Sequence, residues 1–142
     1  MARLQGDYPA ARAHYDRSLA LAHQCDDRAA LAAALSGMAA VAGGGGDYEG
    51  AWDLYTQVLT LQRELGDQNG VAVTLGNLGI ILQSRGDIAS AARHFQESFE
   101  LFRSAGNEDG ITTATVNRAS LARQNGRLSE AAGLFEQALS RG

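Results

Sequence analysis

The sequence repeats itself with a period of 40 residues, and its four repeats stay in register without a gap. One column of the repeat is always Gly, a second is always Ala and a third is always aromatic. These columns are Gly6, Gly46, Gly86 and Gly126; Ala11, Ala51, Ala91 and Ala131; and Tyr15, Tyr55, Phe95 and Phe135. Such a period is typical of chains in which each unit is one supersecondary motif that cannot bury its apolar face alone. The units must therefore pack side by side in chain order.

Each repeat contains two apolar patterns with helical spacing. After Asp47, for example, Tyr48, Trp52 and Tyr55 follow one another at steps of three and four residues, which places them on one stripe of an α-helix. Ala and Leu supply most of the apolar content and aromatics only 6%, which also favours closely packed helices. The sequence predicts an all-α fold with seven helices, at 7–25, 27–43, 47–65, 67–84, 87–104, 107–124 and 128–140.

Gly followed by Asp or Asn marks the predicted helix boundaries. Gly accepts the left-handed conformation that ends a helix, and the Asp or Asn after it can cap the next one. The pattern predicts ends at Gly6, Gly46, Gly66, Gly86 and Gly106, with caps at Asp7, Asp47, Asp67, Asp87 and Asn107. Four consecutive glycines, 43–46, predict that the helix over 27–43 ends early or frays, because each Gly costs about 1 kcal/mol relative to Ala inside a helix.

Charge and hydropathy exclude two classes of partner. The net charge is −4, all 12 basic residues are Arg, and they are scattered singly, so there is no basic surface for nucleic acid. No apolar stretch is long enough to cross a membrane. The N-terminus lacks the order of a signal peptide and Cys25 has no second cysteine to pair with, which predicts a cytoplasmic protein.

No residues are spaced for catalysis or metal binding. His14 and His94 occupy one column two repeats apart, a separation of about 20 Å or more at 8–10 Å per neighbouring helix. His23 lies about 13 Å along the helix axis from His14. Motifs for zinc, phosphate or nucleophilic catalysis are missing from the sequence. We expect no enzymatic activity, no cofactor and no metal.

The stretch Leu75-Gly76-Asn77-Leu78-Gly79, followed by Gly86-Asp87, Ala91 and Phe95, resembles the tetratricopeptide repeat (TPR) in its longer form of about forty residues. Long repeats of this kind occur in Leu-Gly-Asn-repeat adaptors, kinesin light chains and bacterial TPR-containing regulators. The all-Arg, Ala-rich composition favours the bacterial relatives. The resemblance implies an α-solenoid of antiparallel helix pairs over 1–142, with a half repeat at 1–25 and repeats at 27–65, 67–104 and 107–140. We expect the chain to be a segment of a longer protein.

The resemblance also implies a binding groove lined by the first helix of each pair. The groove asparagine of the family matches Asn77 and Asn117, and an Asn amide can both donate to and accept from a peptide backbone. By the same correspondence the groove includes Val73, Gly76, Ile80 and Gln83 from one helix and Thr113, Ser120 and Arg123 from the next. The family's carboxylate clamp needs Lys in the groove, and the sequence contains none.

Two positions depart from the family pattern. Gly37 stands in the asparagine column and leaves a gap, so that either a bulky apolar ligand side chain fills it or the groove functions only toward the C-terminal half. Arg118 stands in the column of Met38 and Leu78, where we expect its charged head to extend past its neighbours to solvent.

The sequence thus predicts a non-catalytic scaffold that binds a protein or peptide ligand in a concave groove. The alternative is a self-association module that forms a homo-oligomer by stacking through exposed solenoid ends.

Overall fold

The computed structural model describes the backbone of residues 2–141 and the side chains of residues 10–127 and 130–140. Over this range the chain forms helices joined by short turns, in the order α1 (Ala2–Cys25), α2 (Arg28–Gly44), α3 (Tyr48–Leu65), α4 (Gln68–Ser84), α5 (Ile88–Ser104), α6 (Glu108–Gln124) and α7 (Leu128–Arg141). The predicted all-α class is confirmed, since the described backbone contains seven helices and no strand.

The turns follow the predicted chemistry from α2 onward. Gly46, Gly66, Gly86 and Gly106 all have positive φ, from 70° to 88°. The capping side chains accept backbone amide hydrogen bonds at 2.9–3.2 Å; they are Asp27, Asp47, Asp67, Asp87 and Asn107. Each such cap stabilises its helix by about 0.5–2 kcal/mol relative to Ala. The turn between α1 and α2 instead places Asp26 in the left-handed region, at φ 52°.

Two predicted boundaries were wrong. The first helix begins at Ala2 and runs through Gly6 and Asp7, so this Gly-Asp pair forms no turn. One glycine costs a helix only about 1 kcal/mol, which the surrounding helical residues can offset. α2 does not end early but reaches Gly44, so it has 17 residues like α4 and α6. Its end is fixed by Gly46 and by the Asp47 amide, which donates to the Ala42 carbonyl at 2.8 Å.

The chain divides into two compact units, Met1–Gly66 and Asp67–Gly142. In the first unit α1 and α3 both pack on α2. The core is centred on Leu35 and Val58, with Leu19, Met38 and Leu61 packed around them. The side chains of Arg28 and Glu64 form an exposed ion pair between α2 and α3.

In the second unit α4, α5, α6 and α7 pack successively, and α4 also contacts α6 directly. One apolar cluster contains Phe102 and Ile111, and another contains Phe95 and Leu121. No helix of the described residues combines the length and hydropathy that a membrane span requires.

A recess between α4 and α6 as the candidate functional site

The face of α4 that looks toward α6 carries no charged side chain. α4 contains no ionisable side chain over its 17 residues. Val73 and Ile80, two turns apart, are 52% and 45% exposed, which is unusual for aliphatic side chains on a helix whose other face is fully buried. Gly76 lies between them and is itself buried.

A recess opens above Gly76 because this residue has no side chain. A Cβ placed on Gly76 would lie 3.7 Å from both Asn117 Nδ2 and Ser98 Oγ. The recess has a volume of about 400 Å³, with its floor on α5 and its walls on α4 and α6. It is lined by Ala72, Val73, Gly76, Asn77, Ile80, Ser98, Phe102, Asn107, Asp109, Gly110, Thr113, Ala114 and Asn117.

The structure therefore brings six of the nine sequence-predicted groove residues to one recess: Val73, Gly76, Asn77, Ile80, Thr113 and Asn117. The amides of Asn77 and Asn117 are half-buried and have no hydrogen-bond partner among the described residues. They line the same cavity, so both can contact one ligand.

The other three predicted residues lie elsewhere. Gln83 and Ser120 bind each other, with Gln83 Nε2 donating to Ser120 Oγ at 3.2 Å, and this pair bridges α4 and α6 beyond the recess. The guanidinium carbon of Arg123 lies 5.9 Å from the centre of the Phe135 ring on α7. Arg123 is therefore held against α7 by a cation–π contact and does not line the recess.

The structure adds lining residues that the sequence did not suggest. Ser98, on the second helix of the pair, is buried and donates to the Ala72 carbonyl at 2.7 Å, which ties α5 to α4 directly under the recess. Asn107 was predicted only as a helix cap. It caps α6 through Gly110 and also donates to Asn69 Oδ1 at 3.1 Å, which links the first turns of α6 and α4. In the sequence, Asn107 stands where the junctions at 47, 67 and 87 have Asp, and this difference could have marked the residue as a candidate.

The recess is weakly acidic. Asp109 is the only ionisable residue in its lining, is exposed, and has no ion-pair partner among the described residues. An anionic ligand group would therefore meet no compensating cation in the lining of this recess.

In the first unit the gap at Gly37 is filled by the chain itself. A Cβ on Gly37 would overlap the ring of Tyr15 from α1. This contact answers the question left open by the sequence for that position, because the aromatic ring occupies the space in which a ligand side chain could have packed.

No group of three or more His, Cys, Asp or Glu in the described part of the chain could hold a metal ion. Cys25 is exposed and unpaired by any disulfide.

Solved structures of low sequence identity share this fold. BtubC (BKLC) from P. vanneervenii superimposes with a TM-score of 0.85 at 22% identity, covering 96% of this chain and 56% of that one. The apo form of RapI gives 0.81 at 14% identity, covering 92% and 47%. A putative kinesin light chain from Podospora anserina gives 0.75 at 16% identity, covering 98% and 69%. The chain thus spans about half the length of the first two.

No curated protein sequence matches the chain. The family described as the MalT-like TPR region, by contrast, matches residues 1–141. Together with the helix pairs and the repeat-fold neighbours, this match confirms the resemblance read from the sequence: the chain belongs to the MalT-like TPR family and has the all-α, α-solenoid fold of its tetratricopeptide repeats.

Proposed function

We propose that the chain is a non-catalytic interaction scaffold whose recess between α4 and α6 binds an extended segment of a partner protein. TPR-like repeats commonly serve as protein-interaction scaffolds, and this proposal adds the place and the mode of binding. The observation that carries it is the 400 Å³ recess above Gly76, flanked by two unpaired amides and two exposed aliphatic side chains.

The apolar part of the recess favours an aliphatic or aromatic ligand side chain. Val73, Ile80 and Ala114 form its walls together with the ring of Phe102 beneath. Burying such a side chain contributes about 1.5–3 kcal/mol, at roughly 25 cal/mol for each Å² of apolar surface. The groove is already formed by packed helices, so little of this energy is lost to ordering the protein.

The polar part favours a peptide main chain. Asn77 and Asn117 can each donate to a ligand carbonyl and accept from a ligand amide. Because these contacts do not depend on ligand side chains, sequence preference must come from the apolar side chain that enters the recess.

Selection from a displayed peptide library, with the whole chain as bait, tests this proposal. We expect the enriched peptides to share one aliphatic or aromatic position. The double variant Asn77→Ala, Asn117→Ala should bind them about tenfold or more weakly, since each hydrogen bond contributes about 0.5–1.5 kcal/mol and 1.4 kcal/mol is a factor of ten.

Gln137→Ala is the matched control, because it removes an exposed amide from α7 outside the recess. Equal affinity of the wild-type chain and the double variant for the selected peptides would contradict the assignment to this face, provided that both proteins give the same unfolding midpoint.

A second candidate function is self-association. Leu139 on α7 is 79% exposed, whereas Leu19, Leu59 and Phe99 in the same column are partly buried. We expect Leu139→Ser to shift a concentration-dependent dimer toward monomer in sedimentation velocity. A wild-type chain that stays monomeric at high concentration would exclude this candidate and leave the recess proposal standing.

A further inference from the structure

A second, smaller recess in the unit Asp67–Gly142 differs in character from the one between α4 and α6. Its volume is about 160 Å³, and it is bounded by α5, α6 and the start of α7. Its base is apolar, formed by Ile88, Ala92, Leu121 and Ala122. Its polar groups are Gln96, Arg118, Asn125, Arg127 and Glu130. Two arginines therefore contribute to the lining of one recess.

Arg118 occupies a position that the repeat otherwise gives to the core. The equivalent Leu78 is 1% exposed, and Arg118 itself is half-buried. Its guanidinium carbon lies 4.8 Å from the centre of the Phe99 ring, so its charge is stabilised from one face by a cation–π contact. The sequence predicted that the charged head of Arg118 extends past its neighbours to solvent. In the structure it is instead stacked on Phe99, and Arg118 is half-buried.

The stacking leaves the hydrogen-bond donors of Arg118 without acceptors. A guanidinium has five N–H groups in a planar fork, and a cation–π contact uses none of them. Among the described residues no carboxylate or carbonyl lies within hydrogen-bonding or ion-pair distance of Arg118. A half-buried cation in this state gains from any oxyanion that can enter the recess.

Arg127 also breaks the repeat, and it does so next to the same cavity. It stands in the column of Asp47 and Asp87, whose carboxylates accept amide hydrogen bonds at the start of α3 and α5. A guanidinium cannot accept such bonds, so the capping chemistry of the repeat has been exchanged for a positive charge. The side chain is exposed and lies 3.6 Å from the Glu130 carboxylate.

From this pair of substitutions we infer that the recess binds a phosphate-sized oxyanion. Arg118 and Arg127 supply two cations and the Asn125 amide supplies a neutral donor, whereas the Gln96 amide already donates to the Glu100 carboxylate at 3.1 Å. Glu130 is the one carboxylate in the lining, which leaves one excess positive charge in a chain whose net charge is −4. The volume of about 160 Å³ is sufficient for a compact anion.

Arg118→Met separates binding from structure, because Met38 fills the same column two repeats earlier and Met restores an apolar side chain there. The probe is inorganic phosphate, with glycerol phosphate as a monoester arm, each compared with chloride at equal ionic strength. The readout is the Nε–Hε resonance of Arg118 in the whole chain, together with the unfolding midpoint. We expect a saturable shift of that resonance and a higher midpoint in phosphate.

Phosphate also stabilises proteins in general by exclusion from their surface, so a matched variant is required. Arg103→Met removes an exposed Arg from the end of α5, outside the recess, and should retain the full difference in midpoint between phosphate and chloride. Phosphate should raise the unfolding midpoint of the wild type by more than this general stabilisation, and Arg118→Met should lose most of that additional rise. Arg127→Asp should weaken phosphate binding at least fivefold.

A tighter response to the monoester would identify the ligand as a phosphorylated small molecule, and an equal response would identify free phosphate; both support the proposal. A wild-type resonance that does not saturate overturns it. The same holds if Arg118→Met and Arg103→Met respond equally to phosphate, because Arg118 would then have only its packing role against Phe99.

Discussion

Gly79→Ala is the substitution for which the repeat pattern and the structure predict opposite signs. The equivalent positions in the neighbouring repeats are Ala39 and Ala119, both fully buried. The helix propensity of Ala is also more favourable than that of Gly by about 1 kcal/mol in a helix interior. Comparison with the equivalent residues of the other repeats therefore predicts that Gly79→Ala raises the free energy of unfolding by about 1 kcal/mol.

The structure predicts a loss instead. A Cβ on Gly79 would lie 2.6 Å from Phe95 Cε1 and 2.8 Å from Cδ1, about 1 Å inside ordinary contact. Phe95 is fully buried between Ala91 and Leu121, so its ring has no free space to move into. Overpacking of this kind costs about 1–3 kcal/mol, which exceeds the helix-propensity gain. The net expectation is a destabilisation of up to about 2 kcal/mol.

Gly76→Ala, one turn earlier on α4, is the internal control. Its Cβ would meet Asn117 and Ser98 at 3.7 Å, an ordinary contact, so only the propensity gain of about 0.5–1 kcal/mol remains. Urea unfolding followed by circular dichroism should thus give a lower midpoint for Gly79→Ala and a higher one for Gly76→Ala, with unchanged slopes. A Gly79→Ala protein as stable as Gly76→Ala would refute the reasoning from the Phe95 ring.

Two further predictions concern the first unit. Burial raises the pKa of Tyr55, so the folded state holds its phenol proton after the unfolded chain begins to lose it near pH 10. Stability should therefore fall as pH rises above about 10, and Tyr55→Phe, which copies Phe95 and Phe135, should reduce that fall in unfolding curves measured from pH 8 to 11. Asp26→Gly should stabilise the chain by about 0.5–1 kcal/mol, because Asp26 adopts φ 52° where Gly66 and Gly106 stand in the other repeats. Asp27→Ala should instead destabilise the chain by about 0.5–2 kcal/mol, because it removes the side chain that caps α2. Thermal unfolding of the two variants distinguishes these signs, and a destabilised Asp26→Gly would show that the Asp26 backbone carries no strain.

Much of the fold could be predicted because periodicity and turn chemistry are local properties. The helices α2 to α7 fall within one residue of the predicted bounds, and the capping side chains of α3 to α6 bind the amides that the pattern indicates. The start of α1 could not be obtained in this way, since Gly6-Asp7 has the same letters as the other junctions. A Gly-Asp pair ends a helix only where packing favours a turn.

The candidate site was predictable only in part. The resemblance to the repeat family assigns Val73, Asn77 and Asn117 to one groove. It cannot reveal that Tyr15 occupies the gap at Gly37, that Gln83 and Ser120 bind each other, or that Arg123 packs on Phe135. These contacts depend on rotamers and on the size of residues distant in sequence, which a column of letters does not record.

The two-residue turn at Asp26 and Asp27, and the three-residue turns that follow α2, α4, α5 and α6, leave no spare backbone. A residue inserted into a turn that carries a cap would separate the capping side chain from its amide, at a cost of about 0.5–2 kcal/mol. Chains built in this way cannot acquire new specificity by lengthening a loop. Their binding properties can diverge only through point substitutions on helix faces, and the exchange of Leu for Arg at position 118 has the form that such a divergence would take.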